Sequence, residues 1–442
     1  MLKTFNLGGV HPAENKLSAN QSIEILAIPK TVSIPISQHL GVPAVSIVNK
    51  GDKVKVGTLI AKGEAFISAN IHSSVSGTVL KIDEVIDSSG YRKTAVIIEV
   101  EGDEWEESID KSTDLKTEIS LSSKEIIEKV KESGIVGLGG ATFPSYVKLS
   151  VPEGKKVECL IINGVECEPY LTSDHRLMLE KTEEMLIGIK ILMKALGVDK
   201  AIIGIENNKP DAIKKVSEVA PKYGNIEVCS LKVQYPQGGE KQLIQAITKR
   251  EVPSGGLPLN VGVVVHNVGT AYAVYEAIQK NKPLIDRVVT ITGKALRKPS
   301  NYLVRIGTPI NDLIEKSGGF PQNTCKVVNG GPMMGKAIND INAPVTKGTS
   351  GVILFPEEES KRALETNCIR CAKCTQVCAM GLEPYLLSSL TEFQKWDNAE
   401  KNNIMDCMEC GSCSYICPSG RPLLDYIRLG KNKVGQLIRS RK

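Results

Sequence analysis

Eight of the twelve cysteines fall within fifty residues near the C-terminus, as Cys368, Cys371, Cys374 and Cys378, then Cys407, Cys410, Cys413 and Cys417. Each quartet reads C-x2-C-x2-C-x3-C. In that spacing three close thiolates wrap one face of a 4Fe-4S cube, and the fourth cysteine ligates the neighbouring cube. Cys368, Cys371, Cys374 and Cys417 are therefore assigned to one cluster, and Cys407, Cys410, Cys413 and Cys378 to a second. The chemistry is one-electron redox between two clusters tied by crossed ligands. Zinc prefers paired C-x2-C knuckles, and disulfide frameworks belong to short secreted chains, so neither fits two identical four-cysteine runs. Pro418 follows Cys417 as the spacing expects, whereas Ala379 follows Cys378; the proline turns the chain and ligates nothing. Cys159, Cys167, Cys229 and Cys325 are scattered and read as free thiols.

A second set of residues points to a flat or anionic ligand. Gly137-Leu138-Gly139-Gly140-Ala141-Thr142-Phe143-Pro144 precedes Lys148. Closely spaced glycines let backbone N–H groups approach a phosphate or a ring system, and a nearby lysine neutralises charge. Three more segments share that polar character: Asn163-Gly164-Val165-Glu166-Cys167-Glu168-Pro169-Tyr170, Tyr235-Pro236-Gln237-Gly238-Gly239-Glu240, and His266-Asn267-Val268-Gly269-Thr270. A glycine-rich loop alone is equally a structural turn, and acids near helix starts equally serve the helix.

The elements that must position these residues follow from periodicity. Between 134 and 285 strand and helix alternate: VECLIING, then a long amphipathic helix SDHRLMLEKTEEMLIGIKILMKALG, then KAIIGIE, PDAIKKVSEVAPKYG and IEVCSLK, and finally VGVVVHNV before TAYAVYEAIQKN. Such α/β sheets bind ligands beyond the carboxyl ends of their strands, where all four polar segments lie. Ser122 with Glu125 forms a capping box ahead of IIEKVKES, and Gly134 suits the left-handed end. Residues 44–100 are short β-rich segments between glycine turns, and 286–330 return to β character. Residues 103–121 are acidic and aperiodic, a linker.

At 442 residues the chain exceeds one core, and its 41% hydrophobic and 24% charged content is that of a globular protein. A net charge of +5 gives no case for nucleic-acid binding. No apolar run reaches the roughly 20 residues of a membrane helix, and no signal peptide opens the chain, so it is expected in the cytoplasm. One local excess stands out. Arg428, Lys431, Lys433, Arg439, Arg441 and Lys442 follow one another without an acid. That pattern suits an anionic lipid surface, a partner protein or a solvated tail.

Taken together, the four polar segments resemble, in order and approximate spacing, the flavin-binding subunit of respiratory complex I and the diaphorase subunits of related hydrogenases. The resemblance implies non-covalent FMN and hydride exchange with NAD(H). It places Gly137, Gly139, Lys148, Asn163 and Asn267 on FMN, and Phe143, Glu168 and Glu240 on the nicotinamide or adenine side. Gly140, Glu166, Tyr235, Gly238 and Thr270 complete the expected cofactor-binding set, and no side chain is needed as a general base. Val165 stands where that family usually carries a carboxylate, and Gly238-Gly239-Glu240 replaces a Gly-Glu-Glu run.

The β-rich front resembles the barrel-sandwich fold of biotinyl and lipoyl carriers, without a lysine at the tip Ala65-Phe66-Ile67-Ser68. The full order from GGVHPAENK (8–16) onward resembles the RnfC family of the Rnf electron-transport complex. The implied plan is a barrel-sandwich-like β domain (1–102), linker (103–121), α/β FMN and NADH domain (122–285), soluble-ligand-binding β-grasp domain (286–335), connector ordered only by contacts (336–360), helical two-cluster ferredoxin-like module (361–430) and basic tail (431–442). The resemblance also implies a peripheral subunit on the cytoplasmic face of a membrane complex. Its partners would be membrane and iron-sulfur subunits and, indirectly, ferredoxin. Two alternatives share the domain set or the clusters: a cobalamin reductase of a bacterial microcompartment, and a non-catalytic electron-transfer protein.

Overall fold

The structure is a computed structural model and describes residues 2–441; Lys442 of the basic run lies outside them. The chain opens with a strap across later domains, including β1 (Ile23–Ile25), before the barrel-sandwich begins. That unit contains β2 (Thr31–Pro35), β3 (Val45–Ser46), β4 (Lys53–Val54), β5 (Leu59–Lys62), β6 (Ile71–His72), β7 (Gly77–Ile86) and β8 (Arg92–Val100). They form two antiparallel sheets ordered β2-β8-β7-β4 and β3-β5-β6. Alternation on β2 buries Val32 and Ile34 completely, and they meet Ile60, Ile71, Val79 and Ile98 between the sheets. Residues 103–121 hold no helix or regular strand, as expected of a linker. Lys280 pins them, its Nζ donating to Asp110 Oδ2 (3.0 Å) and to the Ser112 and Asp114 carbonyls (3.2 and 2.6 Å).

The α/β domain starts at α1 (Ser123–Glu132), where the Ser122–Glu125 capping box forms as the sequence predicts, and continues with the short α2 (Ser145–Leu149). Four parallel strands follow, β9 (Cys159–Asn163), β10 (Ala201–Glu206), β11 (Ile226–Leu231) and β12 (Val263–Asn267), in the order β11-β10-β9-β12. The run expected as one long helix is two, α3 (Ser173–Glu180) and α4 (Thr182–Leu196). The backbone breaks at Lys181 (φ −126°, ψ 38°), because the two halves pack on different partners. The first sits over α5 (Pro210–Val219); the second lies along α7 (Val268–Gln279). Gly188 permits that approach, since a Cβ there would sit 1.9 Å from the Ala271 carbonyl oxygen. On the sheet's other face, Leu243 and Ile244 of α6 (Glu240–Thr248) pack on Ile161, Leu231 and Val265.

The third unit is a six-stranded sheet. To β13 (Asp286–Thr292), β14 (Ser300–Arg305) and β15 (Thr324–Asn329), with α8 (Ile310–Lys316), it adds β16 (Lys336–Ala337) and β17 (Gly351–Pro356). The order is β1-β14-β13-β17-β15-β16. Residues 336–360, expected as a connector, thus contribute a strand to the middle of the sheet: Val352, Ile353 and Leu354 of β17 are buried between β13 and β15. After α9 (Glu357–Ser360) come the helices of the cysteine module: α10 (Lys373–Gln376), α11 (Pro384–Glu392), α12 (Trp396–Lys401), α13 (Ser412–Tyr415) and α14 (Leu423–Ser440). The run expected as a basic tail is the second half of α14. Val434 is fully buried, Lys431 and Arg428 pair with Glu409, and Arg441 pairs with Asp397 and Glu400. Three of the five described basic residues are therefore engaged in ion pairs within the module, and Lys433 and Arg439 are exposed.

Candidate functional site

The glycine loop is a closed turn at the edge of the α/β domain. Gly137 N donates to Phe143 O (2.9 Å), which leaves Gly139, Gly140 and Ala141 exposed at the tip. Its base is held from three sides. Leu138 N donates to Thr270 Oγ1 (2.9 Å), the Leu138 carbonyl accepts from Arg287 Nη2 (3.2 Å), and the Thr142 carbonyl accepts from Leu40 N (3.3 Å). A Cβ at Gly139 would lie 2.8 Å from Asn267 Nδ2, whereas one at Gly140 would meet nothing within 4 Å. Gly139 is thus needed for the loop to close on Asn267, and Gly140 leaves an open lip.

Beneath the loop the carboxyl ends of β9 and β12 bring Asn163 and Asn267 together. Asn163 Nδ2 donates to Gly238 O (2.9 Å). Asn267 caps α7 through Gly269 N (2.8 Å) and donates Nδ2 to Asp174 Oδ2 (2.7 Å). Burial and the charge of Glu166 push the Asp174 carboxyl well above the usual range. Lys148 donates to Glu240 Oε1 (2.7 Å) and Val265 O (3.1 Å). An ammonium carries three N–H donors, so one remains for a ligand. Gly137, Gly139, Gly140, Phe143, Lys148, Asn163, Gly238, Glu240, Asn267 and Thr270 therefore share one region. These features fit an anionic, ring-bearing cofactor: a lip free of Cβ atoms, a half-buried cation and two amides at strand ends.

The other three expected residues face elsewhere. Glu166, with φ +46°, caps α3 by accepting from Asp174 N (2.8 Å) and His175 N (3.1 Å). Glu168 accepts from Met333 N (3.0 Å) and Met334 N (2.8 Å) of the turn between β15 and β16, and burial pushes its carboxyl up to about 7. Tyr235 OH donates to the Cys410 carbonyl (2.8 Å). Their segment is anchored from behind by two lysines. Lys16 Nζ donates to the carbonyls of Glu166, Glu168 and Leu171 (2.9, 2.9 and 2.7 Å), and Lys209 Nζ to that of Val165 (2.8 Å). Burial and the Lys209 charge lower the Lys16 amine to about 8.

Lys16, Lys209, Arg287 and Lys347 are the supporting residues that motif reading does not find. Lys347 Nζ donates to Asn70 O (2.8 Å) and Gly134 O (2.7 Å), joining three domains, and burial lowers it to about 7. A lysine flanked by small and apolar residues, as in APVTKGTSGVILF, is the one available signal.

In the cysteine module Cys378, Cys407, Cys410 and Cys413 line a single apolar cavity walled by Met380, Leu382, Leu387, Met408 and Ile427. Cys378 thus joins the trio of the other quartet. Burial pushes the Cys407 thiol up to about 11 and Cys413 higher still. Thiols so placed ionise only against a cationic centre. Four sulfurs around one cavity suit the corners of a 4Fe-4S cube. The backbone repeats as well: Arg370 and Ala372 flank Cys371 with φ 55° and 58°, and Glu409 and Gly411 flank Cys410 with 61° and 79°. Cys368 and Cys371 are exposed, Cys374 is buried and Cys417 partly buried.

This cavity lies against the α/β domain. Besides Tyr235–Cys410, Gln242 Nε2 donates to Ala379 O (3.0 Å), and from the N-terminal strap Gly9 N donates to Val377 O (2.9 Å).

Comparison with known proteins agrees with this architecture. Residues 3–103 match the RnfC barrel sandwich hybrid domain, 130–276 the Nuo51 FMN-binding domain, 288–337 the SLBB domain and 361–418 a 4Fe-4S dicluster domain. The C subunit of the proton-translocating ferredoxin:NAD(+) oxidoreductase complex of Clostridium ljungdahlii is 48% identical, over 98% of this chain and 94% of its own. Its counterpart in the Na(+)-translocating complex of Acetobacterium woodii is 45% identical over 97% and 96%. The counterpart in the ion-translocating oxidoreductase complex of Rhodobacter capsulatus is 40% identical over 98% and 84%. An NAD+-reducing [NiFe]-hydrogenase in its H2-reduced state shares the fold, with TM-score 0.52 and 17% identity over 72% of this chain and 63% of that one.

Proposed function

The chain belongs to the RnfC family of ion-translocating ferredoxin:NAD+ oxidoreductase complexes, and from that premise we propose how its residues divide the work. FMN lies at the open lip of Gly139 and Gly140, with Gly137 closing the loop, Lys148 as its charge partner and Asn163 and Asn267 below. Phe143 and Glu240 stand on the side where the nicotinamide nucleotide docks. Thr270 and Gly238 hold the loop and Asn163 in place, while Glu166, Glu168 and Tyr235 act away from the ligands, as a helix cap and as junctions to the neighbouring domains. Bound FMN supplies the exchange between a two-electron hydride and single electrons. The chain's own part is to orient the two ligands and to lead electrons away; no proton needs a side-chain base.

Cys407, Cys410, Cys413 and Cys378 hold the cluster nearer the flavin. Cys368, Cys371, Cys374 and Cys417 hold the outer one. The observation that carries this order is the seating of the cavity lined by Cys378, Cys407, Cys410 and Cys413 on the α/β domain through Tyr235–Cys410 and Gln242–Ala379. The outer set, with exposed Cys368 and Cys371 beside Leu364, Ile369, Arg370 and Lys373, faces the iron-sulfur partner in the complex. No described helix is long and apolar enough to cross a membrane. The chain reaches the cytoplasmic face of the membrane through the other subunits.

Gly139→Val tests the flavin site. Its side chain collides with Asn267, so the purified protein is expected to lose FMN and NADH:ferricyanide activity with iron content intact. Retained FMN would refute the placement.

A further inference from the structure

Four residues within the stretch 238–242 touch the two halves of the electron route. Gly238 O accepts from Asn163 Nδ2 (2.9 Å), and Glu240 pairs with Lys148 (2.7 Å), both on the side of the glycine loop. Between and beyond them, Gly239 and Gln242 face the cysteine module. A Cβ at Gly239 would lie 2.4 Å from Met408 Cε. Gln242 is buried, its Nε2 donating to Ala379 O (3.0 Å) with Met380 Sδ at 3.2 Å. Met408, Ala379 and Met380 are themselves walls of the cavity that Cys378, Cys407, Cys410 and Cys413 line. One side-chain or backbone layer therefore separates the first turn of α6 from that cavity.

Resting on the functional reading above, we infer that the first turn of α6 is the contact across which electrons pass between the flavin domain and the nearer cluster. Gly239 sets the gap and Gln242 is the positioning residue that holds it closed. In the balance of the step, one NADH becomes NAD+ and a proton while two clusters each gain one electron. Gly239 allows Met408 to pack directly on the helix. The Gln242 amide fixes the Cys378–Met380 segment in register, and its Oε1 is buried without a partner. Placing a half-satisfied amide in an apolar interface carries a cost that a leucine would avoid. The contact to Ala379 is the gain that sets against it.

The test uses Gln242→Leu in the full chain, reconstituted anaerobically with iron and sulfide, with and without FMN. On rapid mixing with NADH, flavin absorbance falls at the rate of the unmodified protein, and cluster absorbance falls several-fold more slowly. In the flavin-free sample, hydrogen exchange of residues 378–382 and 406–411 rises. Gly239→Ala, whose Cβ would lie 2.4 Å from Met408 Cε and 2.7 Å from Gln242 Oε1 and so crowds both sides of the contact, shows the same two changes and stands in if the first variant fails to fold. Cluster reduction that keeps pace with the unmodified protein, or unaltered exchange at 378–382, overturns the inference. Should the unmodified flavin not respond to NADH, the functional reading falls, and the exchange measurement still decides whether Gln242 holds this contact.

Discussion

Glu168→Gln is expected to remove the pH dependence of one domain junction. In the native state the carboxyl sits between the α/β domain and the 331–334 loop, with burial raising its pKa from 4.5 to about 7. When the loop opens, the group titrates near its ordinary value. Below 4.5 both states are protonated and the group is neutral to stability. As pH climbs from there through 7, the open state releases a proton that the closed state retains, so closure weakens across that window and levels off above it. At about 1.4 kcal/mol per pKa unit the full loss is about 3.5 kcal/mol. Glutamine cannot titrate, but its single oxygen replaces two that now accept from Met333 N and Met334 N, which costs about 1 kcal/mol. The variant junction is thus expected to be weaker than the unmodified one near pH 3.5 by about 1 kcal/mol, equal to it a little above pH 5, and stronger near pH 8 by about 2 kcal/mol. Hydrogen exchange of the two methionine amides, corrected for its intrinsic pH dependence, reads this directly. Parallel curves for the two proteins would refute the assignment of Glu168 to the junction.

Other perturbations separate support from chemistry. Cys378→Ser should remove the spectroscopic signature of the nearer cluster and leave that of the outer one, whereas Cys417→Ser should do the reverse; iron and low-temperature spin-resonance measurements distinguish this crossed pattern from ligation within each quartet. Lys16→Met leaves three carbonyls without their donor, so FMN affinity should fall with the cysteine module unaffected, as read by fluorescence of released flavin. Tyr235→Phe frees the Cys410 carbonyl and should destabilise docking of the module by about 1 to 3 kcal/mol, measured as protection of residues 407–411 from exchange.

What the sequence made legible was local. Cysteine spacing named the clusters, and the capping box at Ser122 marked a helix start, because both depend on residues a few positions apart. The parallel sheet showed itself through apolar runs at β9, β10 and β12. The pairing of Ile23–Ile25 with residues 301–303, and the insertion of Gly351–Pro356 between β13 and β15, depend on partners far along the chain, and nothing in a short apolar run says which edge it will join. Burial of a cation is equally non-local. Lys16, Arg287 and Lys347 read as surface residues until the carbonyls they satisfy are known. For the same reason Glu168 looks like a ligand-facing acid in sequence, while its carboxylate meets two backbone amides from residues 333 and 334.

Electron flow through this chain requires a nicotinamide nucleotide and both cysteine sets to communicate within it. Anaerobic titration of the fully reconstituted protein with NADH, followed by visible absorbance and spin resonance, measures that without any other protein present. The prediction is loss of flavin absorbance followed by reduction of the cluster bound by Cys378, Cys407, Cys410 and Cys413, with that signal absent from the Gly139→Val protein. A flavin that NADH bleaches while both clusters stay oxidised, although dithionite reduces them at a potential NADH can reach, would contradict it.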